Sequence, residues 1–368
     1  MNEKIIEVFD EGVVLAKPKL GPKKLILELT TKCNLNCIMC FRKSWSEIEG
    51  EMNEKLFMKI LDEAVKANTE FIWFGGWGEP LIHKNFIEFA EEVKRRGFKL
   101  GINTNGTLLN KDLALKLINI GLDRLSISID AASQQTYNKI RGGNLNNILR
   151  VLKFIHEERK RRGTPYPITE FIFTAMNSNI NELISLIELA EKYGIGRIIV
   201  SNVIPILSKV NDECLYLNDN FNFDELYGKI AIKSLETNVS VKLPEFTLKT
   251  ERKCPFIMEN AACITWNGNL TPCFNFLHTY KCYIYGVEKN INQIVFGNLN
   301  KDSLINIWNK VDYLRFRFKV RYFNFPSCTD CKFHDICDFT LSNEYDCWSN
   351  SPSCADCLYS RGIIQCPI

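Results

Sequence analysis

The stretch Leu25-Ile26-Leu27-Glu28-Leu29-Thr30-Thr31-Lys32-Cys33-Asn34-Leu35-Asn36-Cys37-Ile38-Met39-Cys40-Phe41-Arg42 decides how this chain is read. Its first five residues form an apolar run of strand length, and three cysteines follow on one short loop. Three thiolates so placed can hold three corners of a cubane iron–sulfur cluster, leaving the fourth iron open to a ligand. The same spacing also fits half of a zinc site.

Strand-like segments recur downstream at residues 71–74, 100–103, 125–129, 168–174 and 198–203. Amphipathic stretches lie between them. Phe57, Ile60, Leu61, Ala64 and Val65 fall at helical spacing, as do Leu183, Ile184, Leu186, Ile187 and Leu189. Six β-α units with right-handed crossovers predict an α/β fold with a curled parallel sheet. Six strands are too few for a closed eight-stranded barrel, so a partial (β/α)6 barrel is expected. Sites in such folds form at the C-terminal ends of the strands, where the cysteine loop falls.

The expected boundaries are an N-terminal extension at 1–23, the partial barrel at 24–205, a connector at 206–253 and a small cysteine-rich α+β domain at 254–368. The connector reads as a helix over 223–235 and an extended piece over 239–243. From Cys254 onward periodicity weakens, so little apolar core is expected there. Bound metal clusters would supply the missing folding free energy.

At 368 residues and 46% hydrophobic composition the chain is globular, not disordered. Basic and acidic residues number 46 and 43, which makes no case for nucleic acid or an anionic membrane as partner. No signal pattern opens the sequence and no apolar stretch approaches the ~20 residues of a membrane span, so a cytoplasmic protein is expected. Disulfides belong to oxidising compartments, so the clustered, closely spaced cysteines among the 15 read as metal sites. Only Cys33, Cys37 and Cys40 precede Cys214, and eleven crowd between Cys254 and Cys366.

Further motifs follow in register with the strands. Gly75-Gly76-Trp77-Gly78-Glu79-Pro80 ends the second, Thr104-Asn105-Gly106-Thr107 the third and Ser126-Ile127-Ser128-Ile129-Asp130 the fourth. Tyr137-Asn138-Lys139-Ile140-Arg141-Gly142-Gly143 comes next. With Cys-x3-Cys-x2-Cys after the first strand, this series resembles the radical S-adenosylmethionine (SAM) superfamily. The resemblance implies that Cys33, Cys37 and Cys40 hold a [4Fe-4S] cluster whose open iron chelates SAM. It implies SAM contacts from Gly75, Gly76, Glu79, Asn105, Ser128 and Asp130, with Val203 flanking the adenine. Arg141 resembles the arginine that meets the methionine carboxylate, a pairing guanidinium geometry favours. The superfamily often has an aromatic residue before the third cysteine; here Met39 stands there, and a thioether can pack on the adenine ring.

The late cysteines resemble the SPASM extension of that superfamily, which carries two auxiliary [4Fe-4S] clusters. Cys254 is followed by thirteen residues, Gly268, four residues and Cys273; Cys328-x2-Cys331-x5-Cys337 comes later. Leu341 stands where the pattern has its next cysteine. Carried over, Cys254, Cys263, Cys273 and Cys347 would hold the first auxiliary cluster, and Cys328, Cys331, Cys337 and Cys366 the second. Cys354-Ala355-Asp356-Cys357 has three readings: replacement ligands, a redox pair, or spare structural thiols. Cys214 reads as a small hydrophobe.

The implied activity is reductive cleavage of SAM to a 5′-deoxyadenosyl radical, which abstracts hydrogen from a protein, peptide or cofactor substrate. A ferredoxin or flavodoxin is the implied electron donor. No winged-helix peptide-binding domain is expected in 1–23. The string from Cys354 to Pro367 and Cys40-Phe41-Arg42-Lys43-Ser44-Trp45 are similar to the radical SAM maturases of tungsten-containing oxidoreductases. Alternatives are a peptide-modifying or sulfatase-maturing SPASM enzyme and, from another class, an iron–sulfur electron carrier or zinc scaffold. No residue is singled out as a catalytic acid or base; Asp212, Glu213, His278 and Tyr280 are available polar groups.

Overall fold

The computed structural model describes residues 3–9, 12–16, 21–218 and 220–365. A hairpin, β1 (Lys4–Phe9) and β2 (Gly12–Ala16), precedes the main sheet. The six expected strands are β3 (Lys24–Leu27), β4 (Phe71–Phe74), β5 (Lys99–Thr104), β6 (Arg124–Ser128), β7 (Ile168–Ala175) and β8 (Arg197–Asn202). They pair in chain order and in parallel. The crossovers carry α1 (Glu54–Lys66), α2 (Phe86–Arg95), α3 (Lys111–Ile120), α4 (Gln134–Ile140), α5 (Leu145–Arg162) and α6 (Leu183–Lys192).

Alternation explains the layering. Leu25, Leu27, Ile72, Phe74, Leu100, Ile102, Leu125 and Ile127 are buried against the helices. Phe57 of α1 stacks on Phe89 of α2 with ring centroids 3.8 Å apart. The opposite face carries Glu28, Ser126 and Glu170 among its apolar residues, so the inside of the curl is mixed. Side-chain oxygens of Asn53, Asn110, Ser133 and Asn144 cap the starts of α1, α3, α4 and α5.

The connector's helix is α7 (Phe223–Thr237), and its extended piece is β9 (Ser240–Lys242), which pairs in parallel with β8. The cysteine-rich region opens with α8 (Pro255–Met258) and β10 (Ala261–Ile264). It continues with β11 (Asn269–Thr271), a hairpin of β12 (Tyr280–Ile284) and β13 (Val287–Ile291), and β14 (Gly297–Asn298). The helices α9 (Leu304–Trp308) and α10 (Val311–Arg321) follow.

Two sequence expectations change here. The sheet has ten strands, because β10 pairs in parallel with β3 and brings β11 and β14 with it. An open six-strand sheet leaves two rows of unpaired amides, and β9 and β10 cover them. The cysteine-rich region also builds a substantial apolar core. Phe296 stacks on Tyr313 at 4.1 Å, and Leu304, Ile307, Trp308 and Phe316 are buried with them. That core is continuous with the barrel's. Apart from α10, its elements carry too few residues to show a period.

Candidate functional site

The cysteine loop leaves β3 at the C-terminal edge of the sheet and is tied down on both sides. Thr31 Oγ1 accepts the Gly50 N–H at 2.8 Å, and Ile38 N–H donates to the Ile140 carbonyl at 2.9 Å. Cys37 is buried, whereas Cys33 and Cys40 are half-buried. Asn105 Nδ2 points at Cys33 Sγ from 3.9 Å, and Arg141 Nη1 at Cys37 Sγ from 3.9 Å. Burial pushes the Cys37 thiol up to about 11 despite the guanidinium beside it, and burial raises Cys33 as well.

The glycine loop packs on the backbone of the cysteine loop. A Cβ on Gly78 would stand 2.1 Å from the Thr30 carbonyl oxygen, and one on Gly76 would meet the Glu28 side chain at 2.7 Å. Glu79 then fastens this loop to the end of β5. Its carboxylate accepts Thr104 Oγ1 at 2.6 Å, Asn105 N–H at 2.7 Å and Leu81 N–H at 3.2 Å. Burial shifts its acid upward. Asn105 Nδ2 also reaches Asn34 Oδ1 at 3.0 Å, locking the loop after Cys33. Gly75 is buried under this edge, while Ser128 and Met39 are half-buried around it.

Two further expected SAM contacts are, like the buried Glu79, engaged within the protein. Asp130 is 0% exposed, and its carboxylate accepts from Arg141 Nε and from Thr174 N–H at 2.6 Å. It is spent on orienting Arg141 and is closed to a ligand. Val203 is 1% exposed within the core, so its side chain does not reach the edge. Its neighbours Ser201 and Asn202 hold the C-terminal tail instead: Ser201 Oγ accepts Gln365 N–H at 3.0 Å, and Asn202 Nδ2 donates to the Ile363 carbonyl at 2.9 Å.

The late cysteines form two groups. Cys254, Cys273, Cys354 and Cys357 line one cavity of about 30 Å³ with walls from Pro255, Phe256, Pro272, Phe276 and Phe316. Burial raises all four thiols, Cys357 to about 12. The second group is on the loop 328–347. Cys331 and Cys347 are exposed, Cys337 is half-buried and Cys328 is buried. The grouping differs from the expected one. Cys354 and Cys357 line the cavity where Cys263 and Cys347 were expected, and Cys263, at 0% exposure on β10, packs in one cluster with Cys254 and Cys273 without lining it. Cys366 lies outside the described residues. Cys214 is a buried hydrophobe whose thiol faces backbone carbonyls.

A third feature joins the barrel to the cysteine-rich region. His278 Nδ1 lies 2.9 Å from Glu47 Oε2, and Nε2 lies 2.9 Å from Glu28 Oε2. Burial alone would lower the imidazole, but hydrogen bonds to Glu28 and Glu47 bring it up to about 9. Trp45 and Trp77 flank it at 5.2 and 4.9 Å. Trp77 stacks on Phe41, and both rings pack on Tyr280 at 5.1 Å. Tyr280 donates to Asn275 Oδ1 at 2.8 Å, and Asn275 lines the four-cysteine cavity. The one sequence signal was Glu28, a charge inside an apolar strand. Asp212 and Glu213 sit elsewhere, on the loop that receives the Asn177 and Ser178 amides.

A family model described as the radical SAM superfamily matches residues 27–174, and the SPASM model, an iron–sulfur cluster-binding domain, matches residues 254–332. One relative is 41% identical over 355 residues, 94% of this chain and 97% of that protein. This chain belongs to the radical SAM superfamily. The relative is the tungsten-containing aldehyde ferredoxin oxidoreductase cofactor-modifying protein of Pyrococcus furiosus. A second, the Fe-coproporphyrin III synthase of Methanosarcina barkeri, is 24% identical over 90% of this chain and 87% of its own. Among solved structures, Streptococcus suis SuiB bound to S-adenosylmethionine superposes with TM-score 0.62 at 17% identity, covering 87% of this chain and 72% of that one. The anSMEcpe structure with bound AdoMet gives 0.60 at 17% identity over 86% and 88% of the two chains. These two show a shared fold.

The two domains imply SAM and [4Fe-4S] clusters as cofactors of this radical SAM enzyme. The residues fit them. In the four-cysteine cavity, desolvated thiols crowd together with no cationic side chain in the lining, and at Cys37 burial keeps the thiol raised even with Arg141 beside it. A cationic iron–sulfur core relieves that arrangement by taking the thiolates as ligands. In the cavity the sulfurs are the donors, and the walls are otherwise mainly apolar. Among the described residues no helix is long and apolar enough to cross a membrane.

Proposed function

We propose that this radical SAM enzyme is a maturase that modifies the cofactor of a tungsten-containing aldehyde oxidoreductase. The observation that carries the reading is the 41% identity to the Pyrococcus furiosus cofactor-modifying protein over nearly the whole of both chains. An alignment of that extent reaches beyond the barrel into the cysteine-rich region, and the tail of that region supplies two of the four thiols in the buried cavity.

We infer three cysteine sets: Cys33, Cys37 and Cys40 for the SAM cluster, Cys254, Cys273, Cys354 and Cys357 for one auxiliary cluster, and Cys328, Cys331, Cys337 and Cys347 for the other. When bound, the SAM cluster and SAM supply a 5′-deoxyadenosyl radical that abstracts hydrogen from an unactivated carbon. The chain's own residues position the reactants. Arg141, held by Asp130, offers its remaining guanidinium donors to the methionine carboxylate. Glu79 and Asn105 keep the cysteine loop and glycine loop in one piece. Aromatic side chains at Phe41, Trp45 and Trp77 pack the segment after the cysteine loop onto His278 and Tyr280. The electron donor in this reading is a ferredoxin or flavodoxin.

The experiment is deletion of the gene in its parent organism, followed by assay of tungsten-dependent aldehyde oxidation. Loss of activity, with the oxidoreductase polypeptide still made, is expected. Aldehyde oxidation at the parental level would sink the reading.

A further inference from the structure

Lys289 is 3% exposed, on the inner face of β13. Its ammonium donates to the Ser342 carbonyl at 2.8 Å, the Thr340 carbonyl at 3.2 Å and Asp356 Oδ2 at 2.6 Å. All three of its protons are therefore placed. The two carbonyls belong to the segment that follows Cys337, and Asp356 lies between Cys354 and Cys357. The ion pair thus bridges the two late cysteine groups. Lys289, Asp356 and Cys357 share the lining of a small cavity of about 10 Å³. On the other side, Thr340, whose carbonyl accepts from Lys289, donates its N–H to the Cys337 carbonyl at 3.0 Å, and Cys282 faces Lys289 across the hairpin.

A buried ion pair is a poor way to join a hairpin to two loops, because desolvating both charges offsets much of their attraction. A four-iron cluster with four thiolates is anionic and gains one further negative charge on reduction. Fixed charges beside it therefore shift its reduction potential, and burial weakens screening. We propose that the Lys289–Asp356 pair sets the reduction potentials of the two auxiliary clusters. The ammonium favours the reduced state of the Cys328 cluster, and the carboxylate opposes reduction of both clusters. Lys289 is a positioning residue in this role, since it touches neither substrate nor iron. The inference rests on the reading of the two cysteine groups as cluster sites, and iron and sulfide counts test that reading separately.

The experiment is a potentiometric titration of the anaerobically reconstituted full-length protein, with dithionite supplying one electron per cluster and electron paramagnetic resonance as the readout. The SAM cluster's signal is identified by its response to added SAM. Lys289→Met is expected to lower the midpoint of the Cys328 cluster, and Asp356→Asn to raise the midpoints of both. Lys289→Arg, which keeps the charge, is expected to stay near the parent. Shifts of the same sign in Lys289→Met and Asp356→Asn, or unchanged midpoints at full iron content, would overturn the proposal. If Lys289→Met does not retain its iron, the sign of the Asp356→Asn shift decides.

Discussion

His278 Nε2 stands 2.9 Å from Glu28 Oε2, and both side chains are closed to solvent although 250 residues separate them. Glu28 extends from β3 just before the cysteine loop, and Glu47 closes the other side of the imidazole from just after it. One buried cation therefore clamps the SAM-cluster loop between two carboxylates. The ring itself comes from the cysteine-rich region.

The clamp predicts a pH dependence. The imidazolium is held up to about 9, above the ordinary value near 6.5. Its contribution to stability is thus fully present below about pH 6.5 and is lost as pH rises through about 9. For Glu47, burial alone would raise the acid. Hydrogen bonds from His278 and the Thr279 N–H outweigh it, so the carboxylate persists in mild acid. His278→Gln is expected to lose about 3–5 kcal/mol at pH 6, the usual effect of breaking a buried pair. Urea unfolding at pH 6 and pH 10 checks this; the deficit against the parent is expected to shrink markedly at pH 10.

Asp130 acts through Arg141, so its removal is expected to weaken SAM binding without removing iron. Asp130→Asn exchanges a charge-assisted hydrogen bond for a neutral one, a loss of about 1.5–3 kcal/mol. The Kd for SAM is then expected to rise about ten- to a hundredfold. Equilibrium dialysis on reconstituted protein, paired with iron analysis, measures both. Unchanged affinity would remove Arg141 from the carboxylate site.

The cysteine grouping predicts iron counts. The parent is expected to hold about twelve irons as three cubanes. Cys354→Ala and Cys357→Ala are each expected to lose up to about four of them, whereas Cys263→Ala is expected to keep them all. A loss confined to Cys263→Ala would restore the grouping expected from family spacing.

The radical-generating centre separates from the auxiliary ones. With Cys33, Cys37 and Cys40 all changed to alanine, about eight irons are expected to remain. Formation of 5′-deoxyadenosine from SAM and dithionite is expected to fall to background. Product analysis by liquid chromatography reads this directly, and residual turnover would place the SAM site elsewhere.

Much of the barrel was legible residue by residue. The six strands were marked by short apolar runs, and the helices between them by residues such as Phe57, Ile60 and Leu61 at helical spacing. The cysteine loop and the glycine loop were legible for the same reason, since each is a contiguous string. The short strands β9 and β10 were harder. Ser240–Lys242 and Ala261–Ile264 are strands because an open sheet edge accepts them. Too few residues lie in either to carry a period.

The sequence by itself determined the local chemistry: three thiols after the first strand, a glycine loop after the second, and cysteines enough for further clusters. These follow from neighbours along the chain, where spacing and periodicity act directly. The tertiary structure decided which distant groups meet. It brought Cys354 and Cys357 to Cys254 and Cys273, turned Asp130 onto Arg141 and enclosed His278 between Glu28 and Glu47. Those choices depend on how loops far apart in the chain close over a shared core. Spacing along the chain does not encode that closure.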